Sequence, residues 1–147
     1  MKMNILVVLS IILCSASCEN LVDHVYSIKI QNNTNDTLLF YESYNYPNTS
    51  IAQNKPILIR VYPKDYSHLD SNKDWDKVLV PPKDTISIFI LSKDTVDRYS
   101  WDKIRIGYNV LKRYDLSLDD LEMLSWSIYY PPTEAMKDMK MYPHYGQ

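Results

Sequence analysis

The chain has 147 residues and a formal net charge of −2, which is the length of a single domain without the basic excess that nucleic-acid recognition requires. Glycine occurs only at Gly107 and Gly146, which excludes the close-approach loops of P-loop and dinucleotide-binding folds. Both cysteines, Cys14 and Cys18, precede the rest of the chain, so no disulfide framework staples it, and its 13 tyrosines favour a half-buried pleated surface.

Lys2 precedes the apolar run Ile5–Leu13, broken only by Ser10, and Ser15, Ala16, Ser17 and Cys18 follow. The run is too short for the roughly 20 apolar residues of a transmembrane helix and has the length of a signal-peptide core. A cysteine placed directly after small residues resembles the bacterial lipobox. That resemblance implies a signal peptide over residues 1–17, fatty acylation (palmitate among the chains) at Cys18, and an anchor and tether over residues 18–23. Cleavage before Cys18 to give a soluble secreted protein is the plainer alternative. Several acyl chains hold a protein durably where one, at about 0.8 kcal/mol per buried methylene, does not. The expected location is therefore the cell envelope, at the outer membrane, with periplasmic and surface sides both open.

From His24 the pattern alternates, His24, Tyr26, Ile28 and Ile30 against Val25, Ser27, Lys29 and Gln31, predicting a strand with one polar side. The Gln31–Asp36 cluster predicts a turn, and a second strand over Thr37–Tyr44 predicts a hairpin. Asn45–Pro56 reads as a loop and Ile57–Tyr62 as a strand with Ile57, Ile59 and Val61 inward, ended by Pro63. Lys64–Lys77 reads as a long surface excursion carrying Trp75. Val78 and Val80 suggest a short strand before Pro81-Pro82. Thr85–Leu91 is apolar on both faces, which predicts a central strand.

Asp94 and Ser100 are each placed to cap a short helix, and Trp101, Ile104 and Tyr108 share a face of the second. Val110–Leu116 returns to strand. Ser117 to Asp120 has the form of a capping box, with Leu118, Leu121 and Leu124 on one helical face. Trp126, Ile128 and Tyr130 alternate in a last strand, and residues 133–147 read as a loosely packed tail. The expected fold is mainly β: a single antiparallel β-sandwich-like domain over residues 24–132 with two or three short helices in the C-terminal half.

The segments Ser100-Trp101-Asp102-Lys103-Ile104, Lys112-Arg113-Tyr114 with Leu116-Ser117-Leu118-Asp119-Asp120-Leu121, and Trp126-Ser127-Ile128-Tyr129-Tyr130-Pro131 resemble small lipoproteins of Bacteroidales-type bacteria. The resemblance implies an envelope lipoprotein and carries no activity, since that set has none to transfer.

Candidate chemistry is sparse. Asp70, Asn72, Asp74 and Asp76 have the alternate spacing of a calcium loop, but Trp75 stands where the turn needs glycine and Pro81 where it needs glutamate. A solvated turn explains them better. His24, His68 and His144 lack metal-ligand spacing, and Asp119, Asp120 and Glu122 are accounted for by a helix start. Neither a catalytic residue nor a cofactor or metal is expected, and an enzyme is the disfavoured class. Asp-Thr-apolar triplets at Asp36, Asp84 and Asp94 resemble an O-glycosylation pattern of the same bacteria, with sugar on Thr37, Thr85 or Thr95; a turn end followed by an element start is the plainer account. Loop aromatics remain: Trp75, Tyr62 and Tyr66, with Tyr44 and Tyr46, could take a glycan or a partner through rigid side chains. The reading is a membrane-anchored envelope lipoprotein serving as a protein-interaction or accessory structural module, with a glycan-binding module as the alternative.

Overall fold

The computed structural model describes residues 24–147, so Cys18 and the expected signal peptide and tether lie outside the described residues. The domain is mainly β, with two sheets facing each other across one core. Strands β1 (Tyr26–Asn32), β4 (Tyr66–Ser71) and β7 (Ser127–Tyr130) form one sheet in the order β4-β1-β7. Strands β2 (Leu38–Ser43), β3 (Ile59–Val61), β5 (Thr85–Ser92), β6 (Lys112–Ser117) and β8 (Met141–Tyr142) form the other, in the order β3-β2-β5-β6-β8. Helices α1 (Trp75–Val78), α2 (Lys93–Arg98), α3 (Trp101–Gly107) and α4 (Leu118–Met123) are short. None is long and apolar enough to cross a membrane.

The doubly apolar strand is central as expected, because β5 lies between β2 and β6. One face, Ile86, Ile88 and Ile90, meets Ile28, Ile30 and Ile128 of the smaller sheet in the main core. The other face carries Phe89 and Leu91, which pack with Tyr41, Ile51 and Ile104 under α3 and the loop after β2. Tyr41 stacks on Phe89 at 4.7 Å, and the Trp101 indole N–H donates to the Ala52 carbonyl at 2.8 Å, tying that loop down.

Several local expectations are corrected. No hairpin joins β1 to β2, because they belong to different sheets. The fully buried Asn32 carboxamide donates to the carbonyls of Asp36 and Tyr62 and accepts from Thr34, turning the chain across the sandwich. The sheets are not wholly antiparallel, since β1 and β7 pair in parallel, Lys29 opposite Ser127 and Ile30 opposite Ile128. Ile57 is 90% exposed and precedes β3; Leu58 instead packs with the second apolar cluster. The Lys64–Lys77 excursion is β4 plus α1, and the Val78–Val80 strand is replaced by the end of α1 and a single bridge from Val80 to Lys83.

Ser92, not Asp94, sits at the start of α2, whereas Ser100 caps α3 by accepting from the Lys103 N–H. Ser117 and Asp120 form the full capping box of α4. Trp126 lies in the left-handed region at φ 60°, so β7 begins one residue later. Residues 133–147 are not loose. Met136, Met139 and Met141 are buried, β8 joins β6, and the Lys112 ammonium donates to the Pro143 carbonyl at 2.9 Å, with burial pushing its pKa down.

Candidate functional site

The aromatic residues singled out from the sequence are not gathered into one exposed platform. Trp75 is 2% exposed and belongs to the main core, with Tyr44 packed against that core. Burial, with a smaller contribution from Glu42, pushes the Tyr44 phenol up to about 12. Tyr46 accepts a hydrogen bond from Lys140 Nζ at 2.6 Å. Tyr62 stands exposed under Arg60. Of the threonines, Thr37 is half-buried and its carbonyl accepts from the Lys93 N–H, Thr85 opens β5 with its hydroxyl on Asp84, and Thr95 is half-buried within α2.

Tyr66 belongs to a different surface. The strand register places Ser27, Lys29 and Gln31 of β1 beside Asp70, His68 and Tyr66 of β4, with Ser127 and Tyr129 of β7 on the far side. These residues alternate with the core residues Ile28, Ile30, Leu69 and Ile128, so together they form the outer face of the three-stranded sheet. The Lys29 ammonium lies 4.3 Å from the centre of the Tyr66 ring, and His68 meets that ring edge-on at 5.3 Å. Ser27 donates to Asp70 at 2.5 Å. Among the described residues the helices α2 and α4 lie against β5 and β6 of the other sheet, and on this face Ser27, Tyr66, His68 and Asp70 are exposed. Its polar alternation in β1 is visible in the sequence; β4 was missed because Leu69 is its only apolar core residue.

At the start of β1 a cleft of about 420 Å³ is lined by Val25, Tyr26, Ser27, Asp74, Trp75 and Trp126. The Trp75 indole N–H is buried and has no hydrogen-bond partner among the described residues. Asp74 precedes α1, yet its carboxylate does not cap that helix. Trp126 is held from both sides: its N–H donates to the Leu121 carbonyl at 2.9 Å and its carbonyl accepts from the Lys29 N–H at 2.8 Å. No local pattern announces this cleft, because the parallel pairing of β1 with β7 brings Tyr26 and Trp126 to one end of the sheet.

A third polar group sits on the outer face of the larger sheet. The buried Asp115 carboxylate accepts from the Ser87 hydroxyl at 2.7 Å and from Arg113 Nε at 3.0 Å, and Arg113 also donates to the Tyr108 hydroxyl. Burial works against the Arg113 charge, but Asp115 outweighs it and holds the guanidinium above its usual pKa. Tyr108 in turn donates to the Thr49 carbonyl at 3.0 Å. The carboxylate is thus engaged by donors within the fold, and the group clamps the Thr49 loop and the end of α3 to the sheet.

Among the described residues no three His, Cys, Asp or Glu side chains converge on a point where a metal ion could sit. Asp120 is taken up by its capping box and Asp70 by Ser27. The chain matches no protein-family model, and no curated protein or solved structure is significantly similar to it.

Proposed function

We propose that the chain is a cell-envelope lipoprotein held to its membrane through Cys18, and that its β-rich domain is an accessory module that binds a protein partner. The observation that carries this reading is the outer face of the three-stranded sheet. Tyr66 and His68 supply exposed aromatic contact area beside Lys29 and Gln31, the combination of rigid rings and polar groups that favours protein contacts. His24 follows Cys18 by only six residues, a reach of about 20 Å at full extension. A partner would therefore lie in or close to the same membrane.

The test is site-specific photocrosslinking in intact cells. A photoreactive amino acid at Tyr66 is compared with one at Ile106, exposed on α3 at the other side of the domain, each with and without Cys18→Ala. A discrete adduct to a membrane protein from Tyr66, absent from Ile106 and lost without Cys18, is the expected result. Identical adduct patterns from both positions would remove the sheet face as the contact surface. Retention of the Cys18→Ala protein on membranes would remove the anchor.

A further inference from the structure

We infer that the outer edge of β4 pairs antiparallel with the same edge of a second copy of this chain, joining two three-stranded sheets into one of six strands. The contact is separate from the partner proposed for the sheet face, and it would double the width of that face.

The backbone hydrogen bonds show which groups of β4 are free. The Asn32 N–H donates to the Asp65 carbonyl at 2.9 Å, and the register from there to Tyr26 opposite Ser71 is unbroken. Bonded and non-bonded pairs alternate along an antiparallel ladder, so Ser67, Leu69 and Ser71 turn their backbone groups to β1. Tyr66, His68 and Asp70 turn theirs away from it. The Tyr66 N–H is met by the Asp65 carboxylate at 2.8 Å. Among the described residues the N–H groups of His68 and Asp70 have no hydrogen-bond partner.

Exposed edges invite pairing, and natural sheets blunt them with short strands, proline, charged residues or covering elements. The other edges here follow that rule. β3 has three residues, carries Arg60 and is followed by Pro63; β8 has two residues and is followed by Pro143. In β7 the Tyr129 carbonyl accepts from the Tyr114 hydroxyl at 2.8 Å, and Pro131 ends the strand. By contrast β4 has six residues with no proline, lysine or bulge, and Tyr66, His68 and Asp70 are exposed along it.

The two free donors lie symmetrically about Leu69, and that selects the occupant. A two-fold axis through Leu69 sets His68 opposite Asp70 of the second copy, and Asp70 opposite its His68. Each of these pairs exchanges two backbone hydrogen bonds, so every free donor is met. Side chains agree with this register, because an imidazole N–H then faces a carboxylate twice. The Ser27 hydroxyl occupies only Oδ1 of Asp70, which leaves Oδ2 to accept. Sliding the strands by one ladder step either way instead opposes Asp70 to Asp70 or His68 to His68, and like charges directly opposite are unfavourable. Such a pairing uses both β4 edges and closes at two copies.

The experiment is sedimentation equilibrium of the full chain in a detergent matched to the solvent density. Wild type is expected to show a monomer–dimer equilibrium. His68→Asp sets carboxylate against carboxylate, and Asp70→Lys replaces the carboxylate facing the imidazole with an ammonium. Symmetry repeats each defect, so either variant should weaken its own dimer about tenfold or more. Mixed together, the two variants place a carboxylate against an ammonium at one position and keep His68 against Asp70 at the other. The mixed dimer should therefore recover at least the wild-type affinity. That recovery also shows both variants to be folded.

A wild-type chain that stays monomeric up to about 1 mM would overturn the inference. So would dimerisation indifferent to both substitutions, a mixture that associates no better than either variant alone, or assembly beyond two copies. Crosslinks from Tyr66 to a membrane protein in a monomeric chain would sink this inference alone. A dimer whose Tyr66 crosslinks reach only its own second copy would sink the partner reading alone.

Discussion

Replacing Asn32 tests the account of how the chain crosses from one sheet to the other. The side chain is fully buried and both ends are engaged. Nδ2 donates to the Asp36 carbonyl at 2.7 Å and the Tyr62 carbonyl at 3.0 Å, and Oδ1 accepts from the Thr34 N–H at 2.9 Å and the Thr34 hydroxyl at 2.7 Å. A fifth, longer contact runs from Nδ2 to the Val61 carbonyl at 3.4 Å; at about 1 kcal/mol net per hydrogen bond, losing the four shorter ones would cost about 4 kcal/mol. Several partners lie near solvent, so water recovers part of this and Asn32→Ala should cost about 2–3 kcal/mol. Asn32→Asp has the same shape but turns the donor end into an oxygen facing two carbonyls. It should cost more than alanine at neutral pH, about 3–5 kcal/mol.

Burial and the facing carbonyls raise the folded-state pKa of the introduced carboxyl above its unfolded value. Its protonated form can donate again, so the deficit of Asn32→Asp shrinks as pH falls below that raised pKa. Urea denaturation at pH 7 and at acidic pH, each variant referred to wild type under the same conditions, reads both effects. An Asn32→Asp protein as stable as wild type at pH 7, or one less destabilised than Asn32→Ala, would refute the hydrogen-bond account.

Trp75→Phe and Trp101→Phe remove similar volumes, but only Trp101 loses a hydrogen bond, to Ala52; in ligand-free protein Trp101→Phe should be less stable by about 1 kcal/mol or more, and equal urea midpoints would contradict this. Ser117→Ala breaks the α4 capping box and should cost about 1 kcal/mol, whereas Ser92→Ala, at a helix start without a side-chain cap, should fall within about 0.5 kcal/mol of wild type by the same assay. Burial pushes the phenols of Tyr41 and Tyr44 up to about 12 from 10.0. Their folded-state pKa values exceed the unfolded ones, so the stability they contribute is intact below pH 10 and is lost as pH rises from 10 to about 12. Thermal midpoints should fall across that window, less steeply in Tyr41→Phe; an identical slope in the variant would show that Tyr41 is not among the responsible groups.

The parts of the fold legible in the sequence are those fixed by near neighbours. Thr85–Leu91 alternates apolar residues on both faces, and a strand so written has to be covered twice; Ser117 and Asp120 meet three residues apart. Parts that depend on distant groups were misread. The Asn-rich segment after β1 signals a reversal, but whether it returns to the same sheet is decided by the Tyr62 carbonyl, thirty residues away. Trp75 sits among charged residues and looks exposed, yet α1 turns it into the core. Methionines carry little periodic signal because their flexible side chains fill whatever gap exists, so the packing of Met136, Met139 and Met141 could not be foreseen. The cleft shares this origin, since its two half-buried rings come from opposite ends of the domain.

The parallel pairing of β1 with β7 also bears on how such a protein is made. β1 is the first described strand, but one of its two neighbours is drawn from Ser127–Tyr130. Pairings this distant along the chain form slowly, so β1 keeps an unpaired edge until Ser127–Tyr130 has been delivered. During that interval its exposed backbone can recruit another chain. A copy interrupted before Ser127 never closes that edge, and would be left for proteases or aggregation instead of a native fold.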